Sequence, residues 1–419
     1  MVNKKHLNFQ RFTVIIIKIS DRSNRLMVKH SSTMPNYSAS VKRKIASLSG
    51  LLKFSLVALA MMAGVGCEKK EVVAVQPILE EEGKQIQILS WDEYFAPEVL
   101  AEFTKKTGIE VAVQIYFSTE EMEEKLKSNP QKYDVLVAEQ AAVVSLRMAR
   151  LLMKLEKPRL ANFKNLDPDY LNQEFDPGNE FSVPYMWGTT VVAYRKDHFE
   201  TPPEESINLL FNEKLQGKIS LLDERNECYA MMIGAGGDPL ANVSMESMNK
   251  ATDRLMQLVS KQRARFGSDN DMKAHLINGE SSAAMIYSGD AALIAQTNKE
   301  IAYFIPKEGA VVWVDSFAIP RDSQKVGNAH KFIDYMIEAG AAAASSNFLR
   351  YASPNKAAGP LIEESLLQDK TIYPPAEIRA KCATMPVWTK DQLRIMNAGW
   401  KMAKEASTPV KIQASAVQK

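Results

Sequence analysis

The stretch Ile88-Leu89-Ser90-Trp91-Asp92-Glu93-Tyr94-Phe95 decides the fold class that we predict for this chain. It begins as an apolar strand, continues into aromatic and acidic residues, and is followed by Pro97, which suits the first turn of a helix. Open α/β sheets bind ligands outside the carboxyl ends of their strands. We therefore expect an acidic, aromatic surface at such an edge, where it would attract a cation. The alternative is that the two aromatic residues belong to the core and that the acid caps the helix.

The composition is that of a soluble globular protein with more than one domain. The chain has 419 residues, of which 46% are hydrophobic and 24% are charged. Eleven of the 52 basic residues and one of the 50 acidic residues precede Cys67. The remainder therefore holds 41 basic and 49 acidic residues, a net charge of −8. This acidic body argues against nucleic acid as a partner and favours a cationic ligand.

Residues 1–67 are typical of a basic leader followed by a lipoprotein-type signal peptide. The triplet Lys42-Arg43-Lys44 precedes an apolar run at 51–65 and then small residues. The segment Gly64-Val65-Gly66-Cys67 resembles the lipobox of bacterial lipoproteins, which implies that Cys67 carries a lipid anchor. The first position of that motif is usually Leu, so cleavage nearby or an uncleaved anchor stays open. Residues 68–84 are polar and mixed, as expected for a tether between membrane and domain.

The remaining cysteines and the histidines give no sign of a metal site or cofactor. Cys228 and Cys382 are the only cysteines after the leader, and the sequence does not decide whether they form a disulfide. The five histidines are scattered, and no CxxC motif is present. We expect neither a transition-metal site nor a bound cofactor.

Strands and helices are predicted to alternate along most of the chain. In the first part we expect strands at 85–89, 109–113 and 134–138, and helices at 97–107, 119–127 and 141–152. A turn-rich segment at 162–179 then leads to a second α/β unit. A strand at 189–194 crosses into this unit, whose further expected strands are 218–222, 282–287 and 301–305. Its expected helices are 224–234, 245–260 and one from 291. A strand at 311–320 is expected to return to the first part, followed by helices at 330–339 and 341–348. This alternation predicts a largely parallel sheet with helices on both faces.

Seven short segments together resemble the periplasmic spermidine/putrescine-binding proteins that serve polyamine ABC transporters. The segments are Ser90-Trp-Asp-Glu-Tyr94, Glu102-Phe-Thr-Lys-Lys-Thr-Gly108, Tyr133-Asp-Val-Leu-Val137, Asn162-Phe-Lys-Asn-Leu-Asp-Pro168, Val183-Pro-Tyr-Met-Trp-Gly188, Pro306-Lys-Glu-Gly309 and Trp313-Val-Asp-Ser316. The resemblance spans roughly residues 85–405. It implies the class II periplasmic binding protein fold, with two α/β lobes, a hinge and a central ligand cleft.

The same resemblance implies the domain bounds. The first lobe would hold 85–187 and a return segment at 313–360, and the second lobe would hold 188–312. Residues 361–419 would add C-terminal helices that pack mainly on the second lobe.

Position by position, the resemblance implies a set of ligand-binding residues on both lobes. These are Trp91, Glu93, Tyr94, Trp313, Asp315 and Tyr351 in the first lobe, and Glu227, Tyr287 and Asp290 in the second. Glu139 departs from the family, which has Ser there, and it would either contact an amine or signal a different ligand. The alternatives are that Glu227 and Asp290 stabilise helix starts, and that Trp313 is a core residue and Asp315 a turn residue.

The residue types suit a polyamine, whose methylene groups favour flat apolar faces and whose ammonium groups favour carboxylates. The resemblance implies a monomeric, lipid-anchored receptor in the periplasm or on the outer membrane face that delivers polyamine to ABC permease subunits. A receptor for another amino-bearing cationic metabolite, or a sensor without transport, remains open. The sequence has no G-x-S-x-G, HExxH or P-loop motif, so we do not expect an enzyme.

Overall fold

A computed structural model describes residues 82–407, and within them ten β-strands and twelve α-helices are present. The strands are β1 Gln85–Ser90, β2 Glu110–Ile115, β3 Val135–Glu139, β4 Ser182–Arg195, β5 Ile219–Leu222, β6 Arg265–Gly267, β7 Ala283–Tyr287, β8 Ile301–Phe304, β9 Val311–Ala318 and β10 Ala383–Thr384. The helices are α1 Pro97–Thr107, α2 Thr119–Ser128, α3 Gln140–Met148, α4 Arg225–Gly234, α5 Met245–Ser260, α6 Asp269–Ile277, α7 Ser288–Thr297, α8 Val326–Met336, α9 Ala339–Leu349, α10 Glu364–Leu367, α11 Ala376–Arg379 and α12 Lys390–Ser407.

The strands form one curled sheet in the order β2-β1-β3-β9-β4-β7-β5-β6, with β10 on β9 and β8 on β4. The long strand β4 belongs to both halves of this sheet. Its residues 182–189 pair with β9, whereas residues 190–195 pair with β7 and β8. We call the half from β2 to β9 the first lobe and the half from β7 to β6 the second lobe. The described part of the chain therefore has two α/β lobes that share strand β4.

Helical crossovers explain why each lobe is mostly parallel. The β1–β2, β1–β3, β5–β6 and β5–β7 pairs are parallel, and helices connect these strands in sequence. The pairs of β9 with β3 and β4 are antiparallel, because β9 returns to the first lobe from the second. This return places β9 in the middle of the sheet, next to the candidate site.

Both faces of the first-lobe sheet are buried at strand β1. Along β1, Ile88 packs with Phe103 and Phe332 on one face, and Leu89 packs with Leu136 on the other. Side chains that alternate across a strand can bury both faces only when helices cover both sides. The second lobe has its own core, in which Trp400 of α12 packs on Phe266 with ring centroids 4.7 Å apart.

The structure corrects several predicted bounds. Helix α3 ends at Met148 instead of residue 152, because Arg150 adopts the left-handed conformation with φ 58° and turns the chain. Helix α7 begins at Ser288 instead of 291, which places Asp290 inside its first turn. Strand β6 and helix α6 lie in a segment where we predicted no element. The predicted lobe bounds remain a proposal.

Candidate functional site

The candidate site lies where the two lobes meet, beside the ends of β1 and β3. Strand β1 leads directly into Trp91, and Glu139 is the last residue of β3. In the antiparallel pairing of β3 and β9, Glu139 lies directly opposite Asp315. Directly opposed residues of neighbouring strands project from the same face of a sheet. The sheet therefore brings two carboxyl groups together that are far apart in sequence.

Four aromatic rings form the apolar wall of the site. The ring centroids of Trp313 and Tyr351 are 4.9 Å apart, and those of Trp313 and Tyr287 are 5.7 Å apart. Tyr94 lies 6.1 Å from Tyr351. Trp313 meets both Tyr351 and Tyr287 edge to face, which is a favourable geometry for aromatic pairs. Rings from both lobes thus hold one another in place around the site.

Two glycines make room for these rings. A Cβ atom at Gly188 would lie 2.4 Å from the Trp313 ring, and a Cβ atom at Gly289 would lie 2.4 Å from the Tyr351 ring. Both distances are far inside van der Waals contact, so any larger residue would displace the ring. The positions of Trp313 and Tyr351 therefore depend on glycine in β4 and in α7.

Asp315 is buried beside Tyr94. Its side chain accepts a hydrogen bond of 2.6 Å from the Tyr94 hydroxyl, and the residue is 6% exposed. Burial raises the pKa of Asp315 to about 7, although the hydrogen bond from Tyr94 acts in the opposite direction. The neighbouring Glu139 raises this pKa further. The Asp315 carboxyl group therefore changes between its protonated and ionised forms near neutral pH.

Two acids of α4 and the turn before it face the same region from the second lobe. Glu227 is 3% exposed and accepts a hydrogen bond from the Thr190 hydroxyl. Burial raises the pKa of Glu227 to about 8, and the hydrogen bond from Thr190 offsets part of this rise. Burial also raises the pKa of Glu224 well above its ordinary value, and repulsion from Glu139 adds to it. The second lobe therefore contributes two carboxyl groups that resist ionisation.

Glu139 completes a group of acids that we call the acidic cluster: Glu139, Glu224, Glu227 and Asp315. Its carboxylate accepts hydrogen bonds from Thr119 at 3.2 Å and from Asn226 of the second lobe at 3.5 Å. Burial raises its pKa as well. Within residues 82–407, no member of the cluster forms an ion pair with a Lys or Arg side chain. The cluster thus concentrates acidic groups that a cation would stabilise in their charged form.

Asp290 has a different environment, because it already contacts a cation. Its carboxylate accepts a hydrogen bond of 2.9 Å from Tyr351 of the first lobe and one of 3.3 Å from the Lys273 ammonium group. Burial raises the pKa of Asp290, and Lys273 opposes that rise. Lys273 also lies 3.7 Å from Glu93 and 3.8 Å from Asp269. The site therefore has two ends that differ in charge. At the end formed by the acidic cluster the acids have no ion-pair partner among the described residues, whereas at the Asp290 end the acid is paired with Lys273.

Comparisons with known proteins identify the family to which this site belongs. The sequence profile of the family described as bacterial extracellular solute-binding protein matches residues 98–374. The putrescine-binding periplasmic protein PotF of Escherichia coli strain K12 is 32% identical over 345 residues, which cover 78% of this chain and 93% of that protein. The chain belongs to the spermidine/putrescine-binding family of bacterial extracellular solute-binding proteins.

Two further members of the spermidine/putrescine-binding family agree with this assignment. The spermidine/putrescine-binding periplasmic protein of the same E. coli strain is 33% identical over 301 residues, covering 71% of this chain and 85% of that protein. The crystal structure of the spermidine/putrescine ABC transporter substrate-binding protein PotD of Streptococcus pneumoniae superposes with a TM-score of 0.68 at 26% identity. It covers 78% of this chain and all of that chain. The predicted family and fold class are thus confirmed.

The structure brings most of the predicted site residues together, with Glu93 as the exception. Glu93 has a side chain that is 70% exposed, and its backbone adopts a left-handed φ of 50°. Its carboxylate approaches Lys273 but stays outside the buried region. Trp91 packs on Tyr116, with ring centroids 4.2 Å apart, and its side chain also reaches Asp315 with a hydrogen bond. The ligand-binding role of all ten residues remains a prediction.

Sequence reasoning missed two charged residues of the site, Lys273 and Glu224. Lys273 lies on α6, whose start carries a detectable signal: Ser268 and Asp271 form a reciprocal capping box. Glu224 directly precedes α4 and is one helical turn before Glu227, which we did predict. A search for helix caps at 261–281 would therefore have found the element that carries Lys273.

Several other predicted features fall outside the site. Cys67 and nearly all of the tether lie outside the described residues, so the predicted lipidation stays a prediction. Cys228 and Cys382 are both free thiols. Between residues 82 and 407, no helix is long and apolar enough to cross a membrane. In the same range, His, Cys, Asp and Glu side chains form no group of three or more suited to a metal ion.

Proposed function

We propose that the protein is an extracytoplasmic receptor that captures a polyamine, putrescine or spermidine, in the cleft between its lobes and delivers it to an ABC importer. The observation that carries this proposal is the acidic cluster, whose buried carboxyl groups lack an ion-pair partner among residues 82–407. A buried carboxylate is costly unless a positive charge compensates it. A ligand ammonium group would supply that charge.

The aromatic wall supports a ligand with a hydrocarbon chain. Methylene groups of a polyamine would lie against the rings of Trp313, Tyr287 and Tyr351, which pack on one another across the lobes. Because Asp315 and Glu227 come from different lobes, an ammonium group held between them would favour a closed arrangement of the lobes. Binding and closure are thus linked through the same charges.

The relatives support the transport part of the proposal. The proteins of this family from E. coli bear the names putrescine-binding and spermidine/putrescine-binding periplasmic protein, and the S. pneumoniae protein is named for an ABC transporter. We assign this chain the same place beside ABC permease subunits, as a monomer anchored to the membrane through a lipid on Cys67. We assign it no catalytic reaction.

A second candidate ligand is another amino-bearing cationic metabolite. The pairing of Lys273 with Asp290 favours this candidate, because one acid of the cleft is already neutralised. A ligand with fewer ammonium groups than spermidine would then suffice. The two candidates differ in ligand identity but share the acidic cluster as the ammonium-binding group.

A thermal-shift panel tests the proposal. The protein would be heated with putrescine, spermidine, spermine, cadaverine or 4-aminobutyrate, with 1,4-butanediol as an uncharged control. A ligand at about 100 times its Kd stabilises the folded state by about 2.7 kcal/mol, which is a shift of several degrees. We expect putrescine or spermidine to raise the Tm and butanediol to leave it unchanged. If none of the amines raised the Tm, the proposed function would be wrong.

A further inference from the structure

Lys273 is held at the Asp290 end of the cleft by the fold itself. It lies in the second turn of α6, whose start is fixed by hydrogen bonds between Ser268 and Asp271. From there its ammonium group reaches Asp290 at 3.3 Å, and its side chain is only 14% exposed. A half-buried lysine that contacts a buried carboxylate is a much stronger partner than an exposed one.

The acids around Lys273 differ in how strongly they act on it. Asp290 is buried, whereas the side chains of Asp269 and Glu93 are 37% and 70% exposed. Solvent screens the two exposed acids, so the main partner of Lys273 is Asp290. Tyr351 donates a second hydrogen bond to the same carboxylate. Asp290 is therefore satisfied before any ligand binds.

The acidic cluster has the opposite charge balance. Asp315 accepts hydrogen bonds from Tyr94 and Trp91, and Glu227 accepts one from the Thr190 hydroxyl. Among the described residues, no ammonium or guanidinium group lies in ion-pair contact with either acid. Tyr94 and Tyr351 are neighbouring rings, and each donates its hydroxyl to one of the two aspartates, Asp315 and Asp290. At one end of the ring wall the acids thus have no cation in ion-pair contact, although Arg225 acts on Glu139 from farther away. The other end contains the Lys273 ammonium group in contact with Asp290.

We propose that Lys273 serves as an internal ammonium group at the Asp290 end of the cleft and selects against ligands that place a second ammonium group there. The inference rests on the proposed function, because it assumes that the cleft binds an amine. A ligand would place one ammonium group at the acidic cluster and would gain little from a charge near Asp290. A ligand with a single ammonium group therefore loses nothing at the Asp290 end, whereas a diamine or triamine that reaches this end is disfavoured.

Binding of two ligands to two proteins measures how strongly Lys273 acts on the second ammonium group of a ligand. Putrescine and 4-amino-1-butanol have the same chain length, but the second carries a hydroxyl group in place of one ammonium group. Isothermal titration calorimetry would give the Kd of each ligand for the wild-type protein and for Lys273→Met. The variant leaves Asp290 without a cation. We expect the ratio of the aminobutanol Kd to the putrescine Kd to rise by about ten-fold in the variant.

Three further variants separate charge from structure. Lys273→Arg keeps the charge and is expected to hold the ratio within about two-fold of wild type. Lys250→Met removes an exposed lysine that pairs with Glu246 on α5 and is expected to leave the ratio unchanged. Lys273→Gln replaces the methionine variant if that protein does not fold, as judged by its Tm. It removes the same charge and is expected to raise the ratio in the same direction.

The outcomes distinguish this inference from the proposed function. If the wild-type protein binds putrescine but the ratio is the same in Lys273→Met, or Lys273→Arg changes it equally, Lys273 is not an internal ammonium group. If the wild-type protein binds neither ligand, the proposed function is wrong and the inference fails with it. A rise confined to the variants that remove the charge supports the proposal.

Discussion

Asp315 and Glu227 give the site a proton-linked response, because burial raises their pKa values to about 7 and about 8. In an unfolded chain these groups ionise near pH 4. The folded protein therefore binds more protons than the unfolded chain between about pH 4 and pH 8, and these groups make it less stable as pH rises through that range. A bound ammonium group favours the ionised form and reverses the effect.

Polyamine binding is therefore expected to release protons in mildly acidic solution. At about pH 6, calorimetric titrations with putrescine in buffers of different ionisation enthalpy should detect release of about one to two protons, and above about pH 9 the release should vanish. The apparent affinity should rise from about pH 6 to pH 8. The Asp315→Asn variant should release fewer protons than wild type at about pH 6. Binding without proton release at that pH would contradict the pKa assignment.

Gly188 controls the position of the Trp313 ring. In Gly188→Ala, the new methyl group would meet the ring at 2.4 Å, and overpacking of this kind costs about 1–3 kcal/mol. We expect a lower Tm and several-fold weaker polyamine binding, because Trp313 must move. Gly340 provides a matched control, since a Cβ atom there meets nothing within 4 Å. A Gly188→Ala protein with the Tm and affinity of Gly340→Ala would show that the ring has room to move.

Side-chain caps satisfy the starts of two helices, α8 and α6, and the second of these carries Lys273. Glu82 accepts hydrogen bonds from the backbone amides of Gly327 and Asn328 at 2.8 and 2.6 Å, which satisfies the start of α8. The start of α6 has both bonds of a capping box between Ser268 and Asp271. Helix α6 buries only Met272 and Leu276, so we expect its stability to depend on this cap.

Removal of the α6 cap is expected to destabilise the helix that positions Lys273. Ser268→Ala should lower the free energy of unfolding by about 1 kcal/mol, as measured by urea denaturation. Ser260 is exposed at the end of α5, and Ser260→Ala serves as the control with an expected change near zero. Equal stability of the two variants would indicate that the α6 cap contributes nothing measurable.

The elements that were predicted well are those with strong local signals. The helix Pro97–Thr107 matches its prediction because Pro97 and Gly108 mark its two ends, and Gly108 indeed adopts a left-handed φ of 72°. Helix Met245–Ser260 also matches, since its apolar face repeats at helical spacing. Helix α6 was missed because its short, mostly polar sequence has two buried residues and therefore little periodicity.

The site was predictable in its residue types and less so in its contacts. Acids and aromatic residues after strands were expected at the sheet edge, and the structure places Asp315, Glu139 and Glu227 close together there. The hydrogen bonds between these acids and the hydroxyl groups depend on the directions of side chains in two lobes. No local sequence pattern contains that information. The pairing of Lys273 with Asp290 could not be predicted from local sequence either, because it depends on α6 packing beside α7.

At the scale of the whole molecule, the site depends on both lobes. The first lobe supplies Asp315, Tyr94 and Trp313, and the second supplies Glu227 and Tyr287. Strand β4 connects the two lobes, and the bond between Tyr351 and Asp290 spans them. An ammonium group would therefore be bound by carboxyl groups that lobe closure brings together, which is the central claim of this account.

Calorimetric titration of putrescine or spermidine into wild type, Asp315→Asn and a control variant tests that claim most directly. Asp322→Asn is the control, because Asp322 lies on the first lobe and pairs with Arg321 at the surface. We predict that Asp315→Asn weakens binding by about ten-fold or more, since it removes a charge-assisted contact worth about 1.5–3 kcal/mol. The control should bind like wild type. A folded Asp315→Asn protein with wild-type affinity would contradict the account.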